Sequence, residues 1–106
     1  MMQEIQAVNQ MDPNGNPTGG TVTGLGIDIK WQDGPRREGD TWNPANGAFV
    51  EGVIAAALQR LEFFQKSKFG CRENALAVTK LQEALHWLNA RTTDREKHGV
   101  EGTHQK

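Results

Sequence analysis

Phe49–Gln65, FVEGVIAAALQRLEFFQ, and Arg72–Arg95, RENALAVTKLQEALHWLNARTTDR, are joined by the short link Lys66–Cys71, KSKFGC. This stretch decides the fold. Its first half places Val50, Ile54, Ala57, Leu61 and Phe64 at alternating spacings of four and three, the period of a helical seam of coiled-coil type. Phe49, Val53, Ala56 and Phe63 widen that face beyond the reach of one partner. The second half repeats the spacing at Cys71, Asn74, Val78, Leu81, Leu85 and Leu88. Ala75, Ala77 and Ala84 are small helix-forming neighbours, and Trp87 falls off the seam. A link this short makes the two helices antiparallel neighbours. Asn46 is the residue type that caps a helix start, and Glu51 suits the positive end of the dipole. Arg91, Arg95, Lys97 and His98 suit the negative end of the second helix, which Gly99 is expected to close.

Working outward, the residues before this hairpin have a different character. Nine of the twelve glycines and all four prolines precede Val53, whereas Val53–Lys97 holds only Gly70. Glu4–Val8 alternates weakly and reads as a short strand. Asp12-Pro13-Asn14-Gly15-Asn16-Pro17 reads as a turn, with φ fixed at the prolines and positive φ open to Gly15. Thr21–Trp31 carries Leu25, Ile27, Ile29 and Trp31 at period two, which predicts one half-buried strand pairing with Glu4–Val8. Gln32–Asn46 reads as a loop bearing an exposed Arg36-Arg37 pair and Trp42. The expected architecture is therefore α+β: short N-terminal strands, then a long antiparallel two-helix hairpin. Residues 1–45 form a β-rich region and loop, and residues 46–106 a hairpin domain with a C-terminal tail.

Composition narrows the class. A hydrophobic fraction of 36% is low, and two helices cover only one face of each other, so the hairpin is expected to need an oligomer. The single cysteine removes a disulfide framework and suits a reducing compartment. No apolar run is long enough to span a membrane, and Met1–Gln10 lacks the basic and apolar regions of a secretory leader. A net charge of -1 argues against a binder of DNA or RNA polymers. These points together predict a cytoplasmic homo-oligomer.

The residues that carry chemistry do not assemble a catalytic or metal-binding motif. His86, His98 and His104 are too widely spaced for a zinc site on one helix, and none is near Cys71 in sequence to act as its base. Cys71 reads as a small buried hydrophobe at the bend. Three features ask for more. Asn74 is polar on an apolar seam, which either sets helix register or needs hydrogen-bond partners. Arg91 and Arg95 are like charges at i,i+4, a spacing that costs a few tenths of a kcal/mol unless an anion or the neighbouring Asp94 and Glu96 relieve it. Phe63-Phe64 closes the first helix near Asn74. An aromatic plane, an amide and two arginines would suit a purine nucleotide. Asn74 and Arg91 stand about 25 Å apart along one helix, however, so a second antiparallel chain would have to complete such a pocket.

Asn46–Gln65 (NGAFVEGVIAAALQRLEFFQ), Ser67–Leu88 (SKFGCRENALAVTKLQEALHWL) and Arg91–His104 (RTTDREKHGVEGTH) resemble the hairpin domain shared by two phage anti-immune families. These are the Thoeris anti-defence sponges and the anti-CBASS cyclic-nucleotide sponges. Gly24–Pro35 (GLGIDIKWQDGP) resembles the β-rich part found in the Thoeris-directed family. The likeness covers about residues 20–104, and the Arg72–Ala77 block is among its most specific parts. His98 stands where the family carries an arginine. The resemblance implies a hexamer without cofactor or catalytic residues, which traps cyclic ADP-ribose isomers and, in some members, cyclic di- or trinucleotides. It implies a signal pocket made by Phe64, Asn74, Arg91 and Arg95, with a further arginine, Arg36 or Arg37, from the N-terminal region. A second pocket would draw on the tail, with Gly99, Gly102 and Thr103 as candidates. The competing expectation is a helical adaptor that assembles without ligand.

Overall fold

A computed structural model describes residues 4–97, with side chains described through residue 94. The described chain falls into two compact units, one ending at Phe49 and the other beginning at Val50. Among the described residues no helix is long and apolar enough to cross a membrane.

The first unit holds three antiparallel strands in the order β1-β2-β3: β1 at Ile5–Met11, β2 at Pro17–Gly24 and β3 at Ile27–Lys30. Asp12 builds the β1–β2 turn. Its carboxylate accepts the backbone N–H of Asn14 and of Asn16, and the Asn16 side-chain amide, at 2.9–3.0 Å. Gly15 supplies the left-handed residue there, with φ 82°. Pairing of the first strand with the second is as expected, with Val8 opposite Thr21 and Ile5 opposite Gly24.

The single strand expected over Thr21–Trp31 is instead a hairpin, broken at Leu25-Gly26, where Gly26 takes φ 71°. The consequence is a change of parity. In one continuous strand Val22 and Ile27 would face opposite sides, because side chains alternate. In the hairpin Gly24 pairs with Ile27 and Val22 with Ile29, and directly opposed residues share a face. Ile5, Ala7, Val22, Ile27 and Ile29 therefore gather on one side of the sheet. Gln6, Thr23 and Asp28, with Val8, Thr21 and Lys30, occupy the other. Gly20 is the one fully buried position among the described residues, and a Cβ there would run into the Val8 carbonyl.

Gln32–Asn46 is more ordered than a bare loop. It contains a two-residue ladder, β4 (Arg37–Glu38) with β5 (Thr41–Trp42), turning through Gly39 at φ 59°. Asn46 does not cap the first helix. Its side chain accepts the Asp33 N–H at 2.7 Å and donates to the Asp33 carbonyl at 2.8 Å, fastening the end of the loop to its beginning. Ala48 then bridges to Trp31 in parallel, and the helix starts only at Val50.

The second unit is the expected antiparallel hairpin, α1 at Val50–Gln65 and α2 at Arg72–Lys97. In α2 the seam follows the sequence reading: Asn74, Val78, Leu81, Leu85 and Leu88 are all partly shielded, and Trp87 is 66% exposed. In α1 the shielded row is rotated. Glu51, Ile54, Leu58, Leu61 and Gln65 share it, while Val50 and Ala57 are exposed. The spacing pattern fits two rows of a wide apolar stripe, and the row with Leu58 meets α2. No described apolar side chain is fully buried in either unit, and Phe49, Val50, Phe63, Phe69 and Leu76 are each more than 40% exposed.

The bend is held by polar groups. The Gln65 side-chain amide accepts the Cys71 N–H at 2.9 Å and donates to the Cys71 carbonyl at 3.0 Å, closing the link as a clamp. Ser67 Oγ donates to the Phe64 carbonyl at 2.6 Å and accepts the Phe69 N–H at 3.1 Å. Cys71 is exposed rather than buried. Its sulfur accepts the Asn74 N–H at 3.4 Å and its carbonyl accepts the Ala75 N–H, so it stands as the N-cap of α2.

Candidate functional site

The hairpin has two chemically distinct ends. At the bend, Phe64 lies in the last turn of α1 and Asn74 in the first turn of α2, and both are half-buried along the helix–helix contact. Phe64 is packed against its neighbour Phe63, with ring centroids 6.0 Å apart and planes tilted by 56°. The Arg60 guanidinium lies over both rings, 4.8 Å from the Phe64 centroid and 5.0 Å from that of Phe63. The bend thus presents aromatic surface, an amide and a delocalised cation.

At the open end, Arg91 reaches from α2 to the first turn of α1, where its Nη2 lies 3.8 Å from Glu51 Oε1. The arginine side chain stays 60% exposed and that of Glu51 30% exposed. Glu51 is thirteen residues before Phe64, about 20 Å along α1. Phe64 and Asn74 therefore share one end of the hairpin and Arg91 the other, and a single chain does not unite them. Arg95 continues the helical backbone of α2 beyond Arg91. Gly99, Gly102 and Thr103 lie outside the described residues.

In the first unit, Arg36 and Arg37 are half-buried, not exposed as expected. Arg36 Nε donates to the Asn43 carbonyl at 2.7 Å, and Arg37 Nε donates to the Gly39 carbonyl at 3.1 Å. Asn43 also donates to the Pro35 carbonyl and to Glu38 Oε1. Each arginine braces the small hairpin through Nε, and among the described residues no partner meets their outer Nη groups. No cluster of histidine, cysteine or carboxylate side chains suited to a metal ion occurs among the described residues.

Arg60 is the residue that sequence reasoning missed. Its signal was legible: an arginine three and four residues before two phenylalanines faces them on a helix, because side chains at those spacings are neighbours and lean toward the N-terminus.

A β-rich segment leading into a polar-locked helical hairpin, with aromatic and amide groups at the bend and arginine at the open end, defines a class of hairpin-domain protein. The chain matches the family described as Acb2/Tad1, hairpin domain, over residues 24–93, and it belongs to that family. It is similar to Thoeris anti-defense 1 of Bacillus phage SBSphiJ7, being 54% identical over 78 residues. That alignment takes in 74% of this chain and 52% of the relative, so the match spans about half the relative's length. Phe64, Asn74 and Arg91 lie inside the family match, and Arg95 lies just beyond it.

Proposed function

We propose that this protein is a phage counter-defence sponge that binds cyclic ADP-ribose isomers made by TIR-domain enzymes of bacterial immunity and holds them unchanged. The observation that carries this reading is the 54% identity to a protein named for Thoeris anti-defence, over a segment in which the family hairpin is matched. The chemistry of the two hairpin ends supports it. Phe64 offers a stacking surface for a purine and Asn74 an amide for its polar edge. Arg91 and Arg95 offer planar guanidinium groups for a pyrophosphate. Arg36 or Arg37 would add an Nη group from the N-terminal unit.

Because bend and open end are far apart in one chain, the pocket is assembled from two antiparallel chains. The exposed Phe49, Val50 and Phe63 are the surfaces such an assembly would cover, and a hexamer is the expected state. The protein acts in the cytosol of the infected cell. Cyclic di- or trinucleotides would occupy a second pocket involving the tail around Gly99, Gly102 and Thr103. Trapping requires a dissociation constant below the signal concentration, for instance about 10 nM, equivalent to about −11 kcal/mol. Two or three charge-assisted contacts, base stacking and a preorganised pocket supply interactions of that scale.

Calorimetric titration with a cyclic ADP-ribose isomer tests the reading. Tight binding, with the ligand recovered intact after denaturation, is expected. Absence of binding by a folded oligomer would leave the ligand-free adaptor in its place, and recovery of a cleaved product would make the protein an enzyme.

A further inference from the structure

Phe64 is the aromatic member of the proposed pocket, and its ring has close neighbours on its own helix. Phe63 and Arg60 surround it within one turn of the same helix: the Phe63 ring is tilted against it, and the Arg60 guanidinium lies 4.8 Å from its centroid. Arg60 is exposed, has no carboxylate partner among the described residues, and lies over both rings. A guanidinium in this position is held by the negative face of the ring. It covers part of the aromatic surface that Phe63 and Phe64 present at the bend. It also brings a positive charge beside any anion bound at the bend.

We infer that Arg60 is a positioning residue of the nucleotide pocket, which fixes the Phe64 ring for stacking and so raises affinity without contacting the base itself. This rests on the sequestration reading given above. The physical basis is preorganisation: a ring already held in its bound orientation loses less freedom when the ligand arrives. The geometry also explains why an arginine is placed where a lysine would keep the charge. The planar group covers two tilted rings at once, and a compact ammonium covers one.

The test has two arms. Without ligand, NMR should find the Arg60 side-chain resonances displaced upfield by the ring currents, and Phe64→Leu should remove about half of that displacement, Phe63 keeping the rest. Unshifted Arg60 resonances would overturn the proposal whatever the protein binds. With a cyclic ADP-ribose isomer, Arg60→Met should weaken binding about 2- to 5-fold, the scale of one exposed cation–π contact, and Arg60→Lys should recover part of the loss. In a Phe64→Leu background the Arg60→Met substitution should change nothing further. An equal loss in that background would mean that Arg60 meets the ligand directly, and undiminished binding by Arg60→Met would mean that it has no role. Thermal melts of each variant separate these outcomes from unfolding. Failure of the wild-type protein to bind would sink the sequestration reading and leave the ligand-free arm to judge Arg60.

Discussion

Among the described residues Glu51 is the carboxylate seen against Arg91, and replacing it tests whether that arginine is held in reserve for an anion. The pair stands at 3.8 Å, longer than a charge-assisted hydrogen bond, with the arginine side chain 60% exposed. At that distance the attraction is about 1 kcal/mol in a water-like dielectric, and the entropy of ordering two long side chains offsets much of it. Glu51→Gln should therefore lower hairpin stability by no more than about 0.5–1 kcal/mol. Its effect on binding has the opposite sign. A pyrophosphate that takes Arg91 must displace or share it with the Glu51 carboxylate, and it meets that carboxylate's repulsion. Removing the charge should tighten binding of a cyclic ADP-ribose isomer about 2- to 5-fold, the same energy read from the ligand's side. Calorimetry at low and high salt is the assay, with Arg91→Ala and the double variant completing a cycle. The gain should shrink at high salt and vanish in the Arg91→Ala background. Weaker or unchanged binding by Glu51→Gln would refute the reasoning, since it would mean that the carboxylate orients Arg91 or has no part in the site.

Other perturbations probe the frame. Gly20→Ala puts a Cβ against the Val8 carbonyl, so it should disrupt β1–β2 pairing and lower stability by more than about 1 kcal/mol in denaturant titration. Gln65→Leu removes both bonds of the bend clamp and should cost about 1–2 kcal/mol, with faster amide exchange at Cys71. Arg36→Ala frees the Asn43 carbonyl and should loosen the β4–β5 hairpin, read as faster exchange at the Asn43 amide with the helices unaffected.

The helical hairpin was legible because its information is periodic. Apolar residues three and four apart from Val50 to Leu88, a six-residue link and a near-absence of glycine permit few other arrangements. The rotation of the α1 seam was less legible, since Ala57 and Leu58 are adjacent apolar residues on a wide stripe and only packing against α2 chooses between them. Strand parity failed for a local reason. Leu25 and Gly26 continue an alternating pattern while forming a two-residue turn, and Leu25 is 101% exposed at its tip. Asn46 had the right chemistry for a cap but found the Asp33 backbone first. Cys71, read as a buried hydrophobe, became the cap of the other helix. For the candidate site, Phe64, Asn74 and Arg91 were placed on the hairpin by spacing alone, whereas the bracing of Arg36 and Arg37 depends on a hairpin too small to leave a pattern.

The separation of the hairpin's two ends has a genetic consequence. If each pocket takes its bend from one chain and its open end from another, then Phe64→Ala and Arg91→Ala damage opposite halves of every pocket. In a two-fold pair of such chains, one pocket receives both lesions and the other receives neither. Two alleles that are each inactive alone would restore half the pockets of every mixed pair, about a quarter of all pockets if chains pair at random, whereas Phe64→Ala with Asn74→Ala would restore none. Interallelic complementation would thus count the chains in a pocket inside a living cell.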